Sequence, residues 1–178
     1  VVDACPAGEE NLPVRWAALL GALGEADTRR VLKRLRCSNA CIEETAILVR
    51  EVAGRGVCRS FSEEKASAHV DDISIRQLLG RYGLCTVERL CALCAALHPQ
   101  DAQNCALAAQ RARQLEADGV CCRVSQLAVN GRDLMAAGIP AGPALRRVLE
   151  ALLDGVIRAE YPNEKPALLA AAQKIIAS

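Results

Sequence analysis

Apolar residues recur at spacings of three and four along most of the sequence, and this period constrains the fold more than any other feature. One such stripe, near the C-terminus, contains Leu145, Val148, Leu149, Leu152 and Val156. This spacing places side chains on one face of an α-helix. Hydrophobic residues make up 52% of the chain but aromatic residues only 2%, and the abundant Ala and Leu favour helices over strands. The sequence therefore predicts an all-α protein.

Capping residues and glycines divide this pattern into successive helices. We expect the first helix to begin at Pro13. Its expected inward face contains Trp16, Leu19, Leu20 and Leu23. The expected starts of the following helices are Asp27, Ser38 or Asn39, Ser62, Asp72 or Ser74, Thr86 and Asp101. Together these helices predict a compact multi-helix bundle, a body domain over residues 1–120.

A smaller helical region follows the body domain and is divided by glycine-rich turns. Asn130 and Gly131 predict a tight turn before a short helix. Gly142 and Pro143 begin the next helix, and a break precedes the final one. We therefore expect a helical tail domain over residues 121–178.

The ten cysteines are expected to be reduced thiols, because the chain has no secretory leader and is rich in ordinary core residues. One group also has spacing compatible with a metal site, namely Cys91, Cys94, His98 and Cys105. Core packing is the favoured interpretation, since Cys91 and Cys94 follow the apolar stripe of their helix. Cys121 and Cys122 follow a glycine in an expected loop and are predicted to be the most exposed thiols.

The sequence offers few groups for catalysis. His69 and His98 are its only imidazoles, and neither belongs to a catalytic motif. A phosphate-binding loop and a dinucleotide fingerprint are both absent. Asp71 and Asp72 are interpreted as a helix start rather than as metal ligands. We therefore expect no catalytic residue, no metal site and no cofactor in this chain.

The net charge of +1 predicts no overall attraction to nucleic acid or to an anionic membrane. The chain has no run of about 18 apolar residues that could span a bilayer, and no signal peptide. We therefore expect a cytoplasmic protein without a membrane partner. The lack of an initiating Met suggests a piece of a longer protein. Any contact with nucleic acid must come from local patches.

One local patch is strongly basic, because no acidic residue occurs between Asp27 and Glu43. Its cations recur at helical spacing, so several can project from one surface and neutralise phosphates. They are Arg29, Arg30, Lys33, Arg34 and Arg36, which we call the body surface. A solvated helix face without a partner is the alternative interpretation.

A second candidate surface lies in the tail. Gly131 and Gly142 would let an RNA backbone approach the first amides of the helices that follow them. Arg132, Arg146 and Arg147 are next to these turns, and the five residues together are called the tail surface. Simple caps that join short helices explain the glycines equally well. Because aromatic residues are scarce, a helical RNA contacted through its backbone fits better than a single strand.

The tail also contains short motifs at defined intervals. They are Leu127 with Gly131, Arg132, Asp133 and Leu134, then Gly142 with Pro143, then Asn163 with Glu164 and Lys165. Together they resemble the tail of bacterial CCA-adding enzymes, in the class II tRNA nucleotidyltransferase and poly(A) polymerase family. Residues 12–55 resemble the body of the same family. There "LLGALGEAD" lacks the His and Asp of an HD-type metal site, which many relatives carry.

The resemblance covers the body and the tail of that family but not its catalytic head. The head carries Gly-Gly-x-Val-Arg-Asp, Asp-x-Asp and Glu-Asp-x-x-Arg elements, and none of them occurs here. The resemblance implies that this chain binds the backbone of the acceptor stem and T-arm of tRNA. It implies a head and a neck in the same full-length chain, where the head transfers CMP and AMP from CTP and ATP with Mg²⁺.

Several alternatives remain open at this point. Relatives that add only A, or only CC, share the body and tail, so the nucleotide choice of the parent enzyme is undetermined. The C-terminal part of a poly(A) polymerase is a near alternative. A helical protein-interaction module would explain the caps and amphipathic faces without RNA, and a cysteine-rich metal module is a further alternative.

Overall fold

The protein is described by a computed structural model for residues 1–53 and 72–177. These residues form α-helices and short 3-10 turns without a strand among them, which confirms the predicted all-α class. The first part of the chain contains α1 (Leu12–Leu20), α2 (Glu25–Arg34), α3 (Asn39–Ala53), α4 (Asp72–Tyr82), α5 (Leu84–Leu97) and α6 (Ala102–Ala117). The rest contains α7 (Gly131–Ala136), α8 (Pro143–Ile157) and α9 (Lys165–Ala177). The expected helix start at Ser62 and the residues His69 and Asp71 lie outside the described ranges.

Most helix starts agree with the capping signals, but two of them do not. The predicted starts at Asn39, Asp72 and Pro143 are confirmed. In contrast, α2 begins before Asp27 and α5 begins before Thr86. In both cases a glycine with positive φ takes the N-cap position and turns the chain into the helix about one turn or less earlier.

The first cluster of buried residues is assembled mainly around α5. This helix packs against α1, α3, α4 and α6. The fully buried side chains include Leu48, Ile75, Leu79 and Leu90. Each such side chain contributes roughly 1.5–3 kcal/mol by leaving water, so this cluster is the main source of stability for the first part of the chain.

The inward face of α1 differs from the prediction. Val14 and Ala17 are buried against the rest of the first cluster. Leu19 and Leu23 of the predicted face are instead 59% and 51% exposed. Because this segment is apolar on more than one face, its periodicity does not determine which face packs inward. The face with the smaller side chains is buried where α1 meets α3 and α5.

A second cluster of buried residues joins α7, α8 and α9. It contains Leu134, Val148, Leu152, Leu168 and Ala172. The buried Gly155 lets α8 accommodate the Tyr161 ring, whose hydroxyl donates to the Ala151 carbonyl at 3.2 Å. This cluster and the first provide separate cores for the two parts of the chain. The exact division at residue 120 stays a prediction.

Cys121 and Cys122 lie where the two clusters meet. They are only 9% and 1% exposed, so the prediction that they are the most exposed thiols is wrong. Cys121 packs in the second cluster and Cys122 in the first, beneath α4. Tertiary packing of both clusters therefore overrides the local loop signal.

None of the helices in the described ranges has the length and the apolar character that a membrane-spanning segment needs.

Candidate nucleic-acid interface

The body surface is built on α2, which is amphipathic. Leu32 and Thr28 are fully buried on its inner side. The Thr28 hydroxyl donates to the Leu20 carbonyl at 3.3 Å and so ties α2 to the end of α1. The opposite side is exposed and presents Arg30, Lys33 and Arg34 to solvent. The helix therefore displays the predicted cations on a supported surface.

Arg29 is the exception, because it is engaged with the body itself. Its guanidinium bonds Glu25 at 3.1 Å, one helical turn away, and also bonds Glu43 at the start of α3. The hydrogen bond to Glu43 raises the pKa of Arg29, and the same bond lowers the pKa of Glu43. Folding thus brings carboxylates to a segment that looks free of them in the sequence. Arg29 is a structural residue as well as a predicted RNA contact.

The remaining cations of the body surface differ in their pairing. Arg30 forms an exposed ion pair with Asp27 at 2.7 Å. Lys33, Arg34 and Arg36 are exposed and form no ion pair with any residue in the described ranges. Arg36 follows the end of α2 with a φ of 57°, in the left-handed conformation that closes the helix. These three side chains are the members of the body surface best placed to contact phosphates.

In the tail, the N-terminus of α7 is already capped by its own side chains. The Asn130 carboxamide oxygen accepts from the amides of Arg132 and Asp133 at 2.9 and 3.2 Å. The Asp133 carboxylate accepts from the Asn130 amide at 3.1 Å, which completes a capping box. A phosphate would have to displace Asn130 to reach these amides. Gly131 is explained by packing, since a Cβ there would lie 3.2 Å from the Leu145 side chain.

The other motif residues of the tail also hold it together. The Lys165 ammonium bonds Asp133 at 2.6 Å, and this hydrogen bond lowers the Asp133 pKa. The Asn163 side chain donates to the Gln126 carbonyl at 2.9 Å and accepts from the Ala128 amide at 2.8 Å. These bonds join the start of α9 to the segment before α7. The sequence reasoning identified these residues as a motif but missed their structural role.

Arg132 is the cationic motif residue of the tail whose side chain these bonds leave unengaged. Its side chain is exposed, as is that of Arg147, and neither forms an ion pair within the described part of the chain. Arg146 is exposed too but bonds Glu150 at 2.8 Å. Gly142 caps α8 with a φ of 123°, a conformation that favours glycine, and supplies no side-chain hydrogen bond. The tail surface therefore has the same division as the body surface, into paired and unpaired cations.

The candidate metal and catalytic residues that lie in the described ranges are not assembled into one site. Cys91, Cys94 and Cys105 are buried in the first cluster, as predicted for Cys91 and Cys94 from their stripe. Among the described residues, no group of three or more His, Cys, Asp or Glu side chains is arranged to hold a metal ion. Asp72 begins α4 and bonds Arg111 of α6. Burial raises the pKa of both Cys121 and Cys122, which disfavours their thiolates.

Sequence reasoning missed the residues that connect the two clusters. Arg76, Gln77 and Gly80 of α4 all contact the second part of the chain. The available signal was the single charged residue, an arginine, inside the segment "ISIRQLLG". A cleft of about 540 Å³ between α4 and α8 lies beside these residues, and its charged lining is largely paired within the protein.

The fold and its surfaces define an all-α protein with two helical cores and exposed basic residues on both. A family model described as tRNA nucleotidyltransferase domain 2 matches residues 10–172. The chain therefore belongs to this family.

A relative of known activity agrees with the family match. Over 45 residues the chain is 56% identical to a CCA-adding enzyme from Levilactobacillus brevis. This match covers 25% of the chain and 11% of that enzyme, so the chain matches a small part of the relative's length. No solved structure gives a significant match. The resemblance to CCA-adding enzymes is thus confirmed by both the family model and this relative.

Proposed function

We propose that this chain is the tRNA-binding portion of a CCA-adding tRNA nucleotidyltransferase. In this proposal it holds the acceptor and T-arm backbone of tRNA and positions the 3′ end for a catalytic head that is absent from this chain. The observation that carries the proposal is the family match over residues 10–172. The exposed cations of both surfaces that form no ion pair within the described residues support it, since backbone contacts to RNA depend on such groups.

The division of labour in this proposal follows from the residues present. The body and the tail bind and orient the RNA, while CMP and AMP transfer from CTP and ATP with Mg²⁺ belongs to the head, which a neck joins to this chain. Lys33, Arg34 and Arg36 provide the main body contacts, with Arg29 and Arg30 contributing less because carboxylates already neutralise them. Arg132 and Arg147 provide the main tail contacts. A cytoplasmic location, where tRNA is processed, is part of this proposal.

The experiment is a fluorescence-anisotropy titration of the chain with a labelled acceptor and T-arm minihelix at several salt concentrations. Lys33→Ala with Arg34→Ala should weaken binding and reduce the slope of log K against log salt by about 2 units, since each lost phosphate contact removes roughly 0.7–0.9. The matched control is Asp27→Ala with Arg30→Ala, which removes an ion pair without changing the net charge. We expect the control to keep the wild-type slope.

Two outcomes would contradict the proposal. Equal binding to the minihelix and to a plain hairpin of the same length would remove the specificity for tRNA. Absence of salt-dependent RNA binding would instead favour a helical protein-interaction module, for which the exposed Leu19 and Leu23 on α1 provide an apolar surface. A poly(A) polymerase origin predicts no preference for the minihelix, so the hairpin comparison tests that alternative as well.

A further inference from the structure

Arg76 lies at the contact between the two cores. It belongs to α4, which packs against α5 and α6 in the first cluster and also contacts α8 of the second. Its guanidinium donates to the carbonyl of Ile157 at 3.0 Å and to that of Cys121 at 2.9 Å. A longer contact of 3.4 Å reaches the carbonyl of Val156. One side chain of the body thus holds two separate segments of the second part of the chain.

The chemistry of this contact suits an arginine in particular. Ile157 is the last residue of α8, where unpaired carbonyls form the negative end of the helix dipole and attract a cation. The planar guanidinium can span acceptors on two chain segments, whereas a lysine ammonium acts as a point charge. The Arg76 Nε atom is buried and has no acceptor within the described residues. Burying that group without a partner is unfavourable, so the contacts made by the other nitrogens must hold the side chain in place.

The neighbouring residues of α4 fix the same contact more tightly. A Cβ on Gly80 would lie 2.0 Å from the Cys122 carbonyl oxygen, so only glycine lets α4 approach this backbone. Gln77 donates to the Asp154 carboxylate on α8 at 2.9 Å. We define the junction as Arg76, Gln77 and Gly80 with their partners. It fixes α8 against α4 through the Ile157 carbonyl and the Asp154 carboxylate, and it holds the Cys121–Cys122 backbone against α4 through the Cys121 carbonyl and the close approach at Gly80.

The position of α8 matters because the tail surface is carried by α7 and by the N-terminal end of α8. We propose that Arg76 is a positioning residue that holds the body surface and the tail surface at a fixed separation, so that one helical RNA contacts both at once. This inference rests on the proposed function. A rigid connection raises the effective concentration of the second surface once the first is bound, and flexible connection loses that advantage.

The experiment compares RNA duplexes of increasing length, capped by the same loop, in the anisotropy assay. For the wild-type chain, affinity should rise steeply, by about tenfold or more, at the length that bridges both surfaces. Arg76→Met should reduce this rise at least fivefold while leaving affinity for the shortest duplexes unchanged. Arg76→Lys, which keeps the charge and the aliphatic stem, should give an intermediate rise. Because the readout is a ratio of affinities, a globally unfolded fraction of a variant lowers both affinities equally and leaves the ratio unchanged, and circular dichroism checks that the tail helices remain folded.

The matched control is Arg89→Met. Arg89 is also largely buried and bonds Glu44 and the Glu10 carbonyl, but all its partners belong to the first part of the chain. The Arg89→Met chain should keep the steep rise of affinity with duplex length even if its folded state is less stable. An Arg76→Met chain with a wild-type rise, or an Arg89→Met chain without one, would overturn the positioning role.

Hydrogen exchange without RNA separates this inference from the proposed function. Arg76→Met should speed exchange of the α8 amides near Ile157 more than that of the α5 amides, and Arg89→Met should not. If the wild-type chain binds none of the duplexes, the proposed function fails, and the exchange result alone decides whether Arg76 holds α8. If exchange in α8 is unchanged in Arg76→Met, the inference fails even when the RNA binds.

Discussion

The body surface and the tail surface contain similar residues but depend on different supports. On α2 the supporting contacts are made by buried residues such as Leu32 and by Arg29, which bonds Glu43 of α3. In the tail, α7 has only 6 residues and buries Leu134 alone, so its position depends more on the bonds made by Asn163 and by Asp133 with Lys165. A helix this short is unstable alone. The comparison shows that the partners of each cation, rather than the charge pattern, determine which side chains are available.

The largest expected difference between the surfaces follows from the loss of a tail support. Asn163→Ala should lower the free energy of unfolding of the second cluster by about 2 kcal/mol, because the Ala128 amide and the Gln126 carbonyl lose their partner. Hydrogen exchange should show faster opening of α7 and α9, with α5 unchanged. Asn104→Ala, at an exposed position on α6, is the control. If Asn163→Ala speeds hydrogen exchange equally in both clusters, the two surfaces do not have separate structural supports.

The next prediction concerns the unpaired cations of the tail. Arg132→Ala with Arg147→Ala should reduce the salt slope of minihelix binding by about 2 units, as much as the corresponding change on the body surface. Arg146→Ala with Glu150→Ala removes an ion pair at constant net charge and should leave the slope nearly unchanged. The assay is the same anisotropy titration, with circular dichroism to check helicity. If the Arg146→Ala, Glu150→Ala chain loses as much salt slope as the Arg132→Ala, Arg147→Ala chain, ion pairing does not determine which arginines are available to bind RNA.

A smaller effect separates backbone strain from binding. Arg36 and Ala159 both adopt left-handed conformations after a helix, with φ values of 57° and 58°. Glycine at either position should stabilise the chain by up to about 1 kcal/mol, since the left-handed region is unfavourable for residues with a Cβ. Thermal unfolding should show this gain for both variants. Only Arg36→Gly should weaken minihelix binding, by about one unit of salt slope, and a similar loss in Ala159→Gly would contradict a specific role for the Arg36 charge.

The smallest prediction concerns acid stability. The Asp133 pKa is lowered by its hydrogen bond from Lys165, so this bond stabilises the folded chain above the unfolded-state pKa of about 4. That contribution is lost as the pH falls through the lower folded-state pKa. Asp133→Asn should therefore weaken the tail at pH 6 and narrow the difference in stability between pH 6 and pH 3. Urea denaturation at the two pH values measures the free energy of unfolding. If the difference between pH 6 and pH 3 is the same in Asp133→Asn as in the wild-type chain, Asp133 does not contribute to acid stability.

The features predicted from the sequence were those set by local interactions. Pro143 has a fixed φ and no amide proton, so it suits the first turn of a helix, and α8 begins there as predicted. Asn130 was placed at the turn before α7, where its side chain caps the helix. Helical periodicity also correctly assigned Cys91 and Cys94 to a buried stripe.

The features missed were those that depend on distant parts of the chain. The pairing of Arg29 with Glu43 requires α2 and α3 to pack side by side, which no local pattern specifies. Cys122 is buried beneath α4 in the first cluster and Cys121 is buried in the second cluster, although the nearby glycine predicted an exposed loop. The exposed Leu19 shows that an apolar stripe identifies a helix without identifying the face that packs. Which of the predicted cations are left exposed and unpaired among the described residues is likewise decided by these distant contacts.

The two buried thiols, Cys121 and Cys122, provide a way to measure how often this protein opens. An alkylating reagent reaches Cys122 only when α4 lifts away from it, and it reaches Cys121 only when the second cluster opens. Burial further suppresses the reactive thiolate of both residues while they are covered. The exposed Cys85 should react without any opening, so its alkylation rate is the reference for a freely accessible thiol. The rate at which Cys121 and Cys122 are alkylated therefore reports how often the two parts of the chain separate, and no cysteine has to be introduced for the measurement.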